Sequence, residues 1–310
     1  MAGSAPAVAG SATELLPEPS VLAAPRRRIL VTGGNGMLAR DLAPALAAAG
    51  HEVFARPKSD LDVTREEDVA RAFRELRPEA VVNCAAFTRV DACETEPAAR
   101  EINAGGPQRL ARWCARAGVP LAEISTDFVF DGEKREPYRE EDPPAPISAY
   151  GRGKREGEEA VLGLPNGLVI RSSWLFGNAG WNFVEAILKQ VHEGKSTLRV
   201  VRDQLGKPTG TPDLAEAIVA LLEASAVGVF HFANAGEVSW YDFAREILEL
   251  SGRDDVAIEP IDSASLGRAA KRPAYSVLDT SKYERVTGAR VRHHRDALVA
   301  YLARRGAARA

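Results

Sequence analysis

A short apolar run, Arg28-Ile29-Leu30-Val31, stops at Thr32-Gly33-Gly34 and passes directly into a helical pattern. No other feature constrains the fold as strongly, because a buried strand feeding a helix through glycines opens a βα unit. Leu38, Leu42, Ala45, Leu46 and Ala49 fall on one face of that helix, and Gly50 closes it. His51 to Arg56 reads as a second strand, Val69, Phe73 and Leu76 mark a second helix, and Ala80 to Ala86 form a further strand. Ile102, Leu110, Trp113 and Ala117 recur at helical spacing before Leu121 to Ser125, and Leu168 to Arg171 is again strand-like. Repeated strand–helix–strand units predict a parallel sheet with helices on both faces, since such crossovers are right-handed.

Beyond about residue 172 the alternation loosens. Thr211-Pro212 offers an N-cap followed by a proline in the first turn, ahead of Leu214, Ile218, Leu221 and Leu222. Ser239 with Asp242 resembles a capping box. Short strands at Val229 to Phe232 and Ala257 to Ile261 alternate with these helices. The expected fold class is α/β: a Rossmann-type doubly wound parallel sheet with a smaller α/β substrate-binding lobe. The expected division is a disordered tail over 1–24, an NAD(P)-binding domain over 25–172 and the smaller lobe over 173–310, with an interleaved boundary.

Composition excludes several classes. A net charge of −3 over 310 residues, with no basic stripe, argues against bulk nucleic-acid binding. The three cysteines have no CxxC spacing and the five histidines include no HExxH, so reduced thiols and no metal are expected. Residues 1–24, rich in Ala, Pro, Ser and Gly, make a poor signal peptide. No apolar run approaches the roughly 20 residues that span a bilayer, so a cytoplasmic protein is expected.

The loop Gly33-Gly34-Asn35-Gly36-Met37-Leu38-Ala39 sits where a dinucleotide is bound in such folds. Gly33 permits the tight turn, Gly36 lets backbone approach a pyrophosphate, and the helix N-terminus offers free N–H groups. The second strand ends in Arg56-Pro57-Lys58, with cations where an NAD site carries an acid. Cations suit a 2′-phosphate, so NADPH is favoured, with NADH as the alternative. Asp62 and Val63 are placed at the adenine, and Ala85, Ala86 and Phe87 on the rim of the later strand.

Tyr150 and Lys154 lie four residues apart, on one face if the segment is helical. Carbonyl reduction needs a proton donor opposite the hydride donor. An ammonium about 4 Å from a phenol is worth on the order of 4 kcal/mol at an effective dielectric of 20, so Lys154 is expected to acidify Tyr150 and to hold the nicotinamide ribose. Thr126, at the end of the strand Leu121 to Ser125, is expected to bond the carbonyl oxygen and orient Tyr150.

These motifs together resemble the extended short-chain dehydrogenases/reductases, and among them the dTDP-4-dehydrorhamnose reductase family. The resemblance runs from about residue 28 to about 302 and is carried by Ser125-Thr126-Asp127-Phe128-Val129-Phe130-Asp131-Gly132, Arg171-Ser172-Ser173-Trp174 and Asp203-Gln204-Leu205-Gly206-Lys207-Pro208-Thr209. It implies reduction of dTDP-4-dehydro-β-L-rhamnose to dTDP-β-L-rhamnose, with Tyr150 as proton donor and Thr126 and Asp127 at the sugar. It also implies that Trp174 presents a flat apolar face to the substrate. Phe128 stands where the family usually has Tyr, and Gly153 where Ser or Thr often precedes the lysine. The dTDP-sugar is the expected partner and a homodimer is left open. The competing readings are another nucleotide-4-ketosugar reductase or epimerase, and a non-catalytic NADP-binding regulatory subunit.

Overall fold

In the computed structural model, which describes Gly3 and residues 26–307, a six-stranded parallel sheet carries the fold. The tail expected over residues 1–24 lies, apart from Gly3, outside the described residues. The sheet contains β1 (Arg28–Thr32), β2 (Glu52–Arg56), β3 (Ala80–Asn83), β4 (Leu121–Thr126) and β5 (Gly167–Ser172). They run side by side in the order β2-β1-β3-β4-β5, and a sixth strand, Gly228–His231, lies beside β5. The order turns back on itself at β1, so the crevice beyond the ends of β1 and β3 is the switch point where ligands of such sheets sit.

Successive strand side chains alternate between faces, which explains the two apolar layers. Ile29, Val31, Val82, Ala122 and Ile170 pack against α1 (Met37–Ala48) together with Leu214, Ile218 and Leu221. Leu30, Val81, Leu121 and Val169 point the other way. They meet α2 (Glu66–Leu76) through Val69 and Phe73. Beyond the short α3 (Pro97–Arg100) and a π-turn (Glu101–Gly105), they meet α4 (Gly106–Ala117) and α5 (Ala149–Leu162) through Leu110, Cys114 and Val161. Each such fully buried side chain contributes roughly 1.5–3 kcal/mol.

Two segments assigned to the smaller lobe belong to the large one. The strand expected at Val229 to Phe232 pairs in parallel with β5 and completes the main sheet. After α6 (Phe183–His192), α7 (Thr211–Glu223) returns to cover α1. Thr211 is not its N-cap: Gly210 is, and the Thr211 hydroxyl donates to Asp41 of α1 at 2.5 Å. Ser239 does cap α8 (Trp240–Leu250), accepting from the Asp242 N–H. The true second core packs α6 and α8 with Thr197–Val201, whose parallel partner is Ala257–Ile261. No described helix is long and apolar enough to cross a membrane.

Candidate active site

The glycine loop is wedged between strand ends. Gly33 has φ +63°, and a Cβ there would lie 2.9 Å from the backbone of Cys84 and Ala85. A Cβ on Gly34 would lie 2.8 Å from the backbone of Ala55 and Arg56, so this second glycine is as constrained as the first. The N-cap of α1 is Gly36, with no side-chain cap and no acid in the first turn. That leaves the first N–H groups of α1 and their partial positive charge for a phosphate. Asn35 is exposed, Met37 half-buried and Leu38 in the core. Arg56 ends β2 half-buried, with no ion-pair partner among the described residues, whereas Lys58 is engaged by Asp62 at 3.7 Å. The Asp62 carboxylate also accepts from the Thr64 N–H and hydroxyl, and Val63 turns its side chain into the core. Ala85 and Phe87 are half-buried and Ala86 exposed along the same rim. A turn that tolerates no side chain, an uncapped helix and an unengaged cation fit a phosphorylated dinucleotide.

The face covered by α5 becomes polar toward the strand ends. Thr32, Asn83 and Glu123 are register partners across β1, β3 and β4, two residues beyond the apolar row Leu30, Val81 and Leu121. Thr32 Oγ1 donates to Asn83 Oδ1 at 2.5 Å, and Asn83 Nδ2 donates to Glu123 Oε2 at 2.5 Å. The Lys154 ammonium, fully buried, donates to the other Glu123 oxygen. Beside them Glu158 accepts from Ser125 at 2.6 Å and, through both oxygens, from Arg171 at 2.9 and 2.8 Å.

Tyr150 opens α5, whose N-cap Ser148 accepts from the Gly151 N–H. Gly151 is obligatory: a Cβ there would lie 2.1 Å from the Phe128 carbonyl oxygen. The helix is thereby pressed against the turn after β4, and Tyr150 meets Phe128 edge-on at 5.6 Å. Burial, above all, pushes the Tyr150 phenol above its ordinary value. The Thr126 hydroxyl pulls it back, and the charges of Asp127 and Glu123 add to the rise. Lys154, expected to acidify Tyr150, gives its ammonium to Glu123. Thr126 does reach Tyr150, and it also donates to Asp127 at 3.0 Å. Asp127 accepts from Ser276 at 2.5 Å, and burial pushes its carboxyl up to about 6.

A cavity of about 340 Å³ adjoins this row, lined by Phe128, Trp174, Gln204, Trp240, Arg268, Arg272 and Ser276 among others. Trp174, at φ +50°, is stacked on Trp240 with centroids 3.5 Å apart and planes 6° from parallel. Its indole also occupies the space a Cβ of Gly206 would need, at 2.5–2.8 Å. One flat face of Trp174 thus belongs to Trp240 and its Nε1–Cε2–Cζ2 edge to Gly206, while the residue lines the cavity. The packing also explains the glycine of the Asp203 to Thr209 signature. Arg272 is fixed by Asp91, which accepts from it at 2.7 and 3.0 Å and from the Ala270 N–H at 3.0 Å.

Several site residues escaped the sequence reading. Asn103 sits in the π-turn, where its side chain accepts from the Phe87 N–H at 2.8 Å and donates to the Phe87 carbonyl at 3.0 Å. Trp240, Arg268 and Arg272 arrive from distant segments and carry no local signature. Glu123 had one: a lone acid inside an apolar strand. Among the described residues no cluster of side chains forms a metal site.

A dinucleotide crevice beside a threonine, a tyrosine and a buried lysine on one rim defines an NAD(P)-dependent oxidoreductase of Rossmann architecture. The family described as "RmlD substrate binding domain" matches residues 27–306. A dTDP-4-dehydrorhamnose reductase of Streptomyces griseus is 43% identical over 282 residues, covering 88% of this chain and 92% of that one. A dTDP-4-keto-6-deoxy-D-glucose reductase of Streptomyces niveus is 42% identical over 274 residues, covering 87% and 95%. The crystal structure of a dTDP-4-dehydrorhamnose reductase from Bacillus anthracis in complex with NADP superposes with a TM-score of 0.85 at 34% identity, covering 90% of this chain and 99% of that one. The chain belongs to the dTDP-4-dehydrorhamnose reductase family.

Proposed function

We propose that this protein reduces dTDP-4-dehydro-β-L-rhamnose to dTDP-β-L-rhamnose at the expense of NADPH. The observation that carries the reading is the meeting of Tyr150 and Phe128: the proton donor abuts a residue that lines the cavity beside Trp174 and Trp240. The cavity brings what a sugar nucleotide needs. Arg268 and Arg272 complement a diphosphate, and the Trp174–Trp240 pair gives an apolar wall. The relatives of Streptomyces griseus and Bacillus anthracis, named for this reductase activity, support the substrate class.

NADPH supplies the hydride. Gly33, Asn35, Gly36, Met37 and the N–H groups of Leu38 would hold its diphosphate, Arg56 its 2′-phosphate, and the rim of Asp62, Val63, Ala85, Ala86 and Phe87 its adenosine and ribose. Lys154 would bind the nicotinamide ribose. Thr126 grips the carbonyl oxygen, and Tyr150, held protonated by its surroundings, delivers the proton to that oxygen as charge develops there. Asp127, backed by Ser276, orients the sugar hydroxyls.

One observation favours a second substrate within the same class. Phe128 removes a hydroxyl from the sugar side of the cavity, and the Streptomyces niveus relative is named for a different dTDP-4-ketosugar. The test is NADPH oxidation with enzymatically prepared dTDP-4-dehydrorhamnose and with dTDP-4-keto-6-deoxy-D-glucose, followed by identification of the sugar formed. Rhamnose as the preferred product supports the proposal; faster turnover of the second sugar overturns it in favour of the alternative. We place the enzyme in the cytoplasm, where free thiols such as Cys84, Cys93 and Cys114 persist.

A further inference from the structure

One wall of the cavity is a strap, residues 263–273, that lies outside the apolar cores. It begins with the 3₁₀ turn Ser263–Leu266, which buries no side chain. Leu266, Arg268 and Arg272 line the cavity, and a second cleft of about 310 Å³ opens between Arg268, Ala270 and Lys271 of the strap and Ile147 and Gln204. With hollow space on two sides, the strap depends on its anchors. At one end Asp203 accepts from the Ser263 N–H and hydroxyl, each at 2.9 Å. At the other, a Cβ on Gly132 would lie 2.5 Å from the Pro273 Cα, so the chain is pressed onto the turn that follows Thr126 and Asp127. Asp91 holds the stretch between. It accepts from Arg272 through both oxygens, at 3.0 and 2.7 Å, and from the Ala270 N–H at 3.0 Å, while Arg272 donates to the Ala270 carbonyl at 2.8 Å. Both backbone groups of Ala270 are thus tied to one ion pair. Asp91 itself opens the turn Ala92–Glu94, just beyond the Phe87 rim of the dinucleotide crevice. Among the described residues that line the cavity, Arg199, Arg268 and Arg272 are charged and no carboxylate answers them.

We propose that Asp91 is a positioning residue for the sugar nucleotide: by locking Arg272 and Ala270 it fixes the strap, so that Arg268 and Arg272 stand ready for a diphosphate. The ligand is that of the reductase reading, on which this assignment rests. A guanidinium gripped by two carboxylate oxygens is oriented as well as paired. Arg272 still keeps its Nε–H and one N–H of Nη2 for a ligand. Cations ordered before the ligand arrives lose less freedom on binding. The Arg272 bonds, above all, hold the Asp91 carboxyl down to about 2, so the latch is charged throughout the neutral range. Simple electrostatics points the other way: Asp91 is a negative charge beside an anionic ligand, and its removal should favour that ligand. The two effects have opposite signs, so the sign of the change decides between them.

Asp91→Ala removes the latch at a side chain that is 46% exposed, and Arg272→Lys keeps the cation while losing the fork. Binding of dTDP and of NADPH is measured separately by calorimetry, without turnover. The Kd for dTDP should rise at least about tenfold in Asp91→Ala and about threefold or more in Arg272→Lys, while that for NADPH stays within about twofold in both. Hydrogen exchange at the strap amides, Ala270 among them, should quicken in Asp91→Ala without ligand. In turnover the loss should fall on the KM for the sugar nucleotide more than on kcat. Unchanged or tighter dTDP binding by a folded Asp91→Ala chain overturns the proposal. An equal loss of NADPH affinity overturns it too, since that marks a general loosening. If the unsubstituted chain does not bind dTDP, the reductase reading fails and the assignment of Asp91 falls with it. If it binds dTDP and the variants bind as well, the latch alone fails.

Discussion

Asp127 should cost the fold stability at neutral pH, and Asp127→Asn should recover it. The carboxyl is 1% exposed, and its desolvation outweighs the bonds from Ser276 and Thr126, so its proton is held up to about 6 against an ordinary 3.8. A group whose pKa is raised by folding stabilises the native state at pH below its unfolded value and loses that contribution as pH rises through the folded value. Two units at about 1.4 kcal/mol each amount to about 3 kcal/mol at pH above roughly 7. An asparagine never ionises and can still accept from Ser276. The variant should therefore be about 3 kcal/mol more stable near pH 7, or about 5 °C higher in Tm for a chain of this size. The gain should shrink below about 1 kcal/mol near pH 4. Urea denaturation of both chains at the two pH values measures it. A variant less stable at neutral pH, or a gain that does not change with pH, refutes the reasoning. Turnover should fall in the same variant, since the strain is held where the sugar binds.

Two glycines on one helix should behave in opposite ways. Gly151→Ala drives a Cβ to 2.1 Å from the Phe128 carbonyl and should lose on the order of 3 kcal/mol or fail to fold, as read by urea denaturation. At Gly153 a Cβ would meet the Asn103 Cβ at 3.3 Å, and the helix propensity of alanine, worth about 1 kcal/mol, should hold the change within roughly 0.5 kcal/mol of neutral. Arg56→Ala should raise the KM for NADPH at least about tenfold with kcat little changed, and should narrow the preference over NADH, because one charge-assisted contact to the 2′-phosphate is removed. Parallel titrations with the two cofactors measure it.

Much of this was legible in the residue order, for physical reasons. Strand and helix periods differ, so the alternation from Arg28 to Arg171 forecast β1 to β5 and their helices. The order strand, glycine turn, helix likewise forecast the dinucleotide crevice. The placement of Tyr150 and Lys154 on α5 and of Thr126 at the end of β4 was readable because it depends on local spacing and on a strand end. The strand Gly228–His231 was misassigned because nothing local tells an edge strand of the main sheet from a strand of the second lobe. The rise of the Tyr150 phenol was not foreseen because it comes chiefly from burial, and the partner of Lys154 was missed because Glu123 lies thirty-one residues away in sequence and meets it only through the β4–α5 packing. The partners that hold Trp174, Trp240 and Gly206, were not foreseen because they come from segments far along the chain.

Single-turnover reduction by Tyr150→Phe bears most directly on the account. With NADPH bound, the phenylalanine chain should transfer hydride at least about 10²-fold more slowly than the unsubstituted chain while its cofactor affinity stays within about twofold. A rate equal to that of the unsubstituted chain would contradict the assignment of Tyr150 as the group that protonates the substrate oxygen.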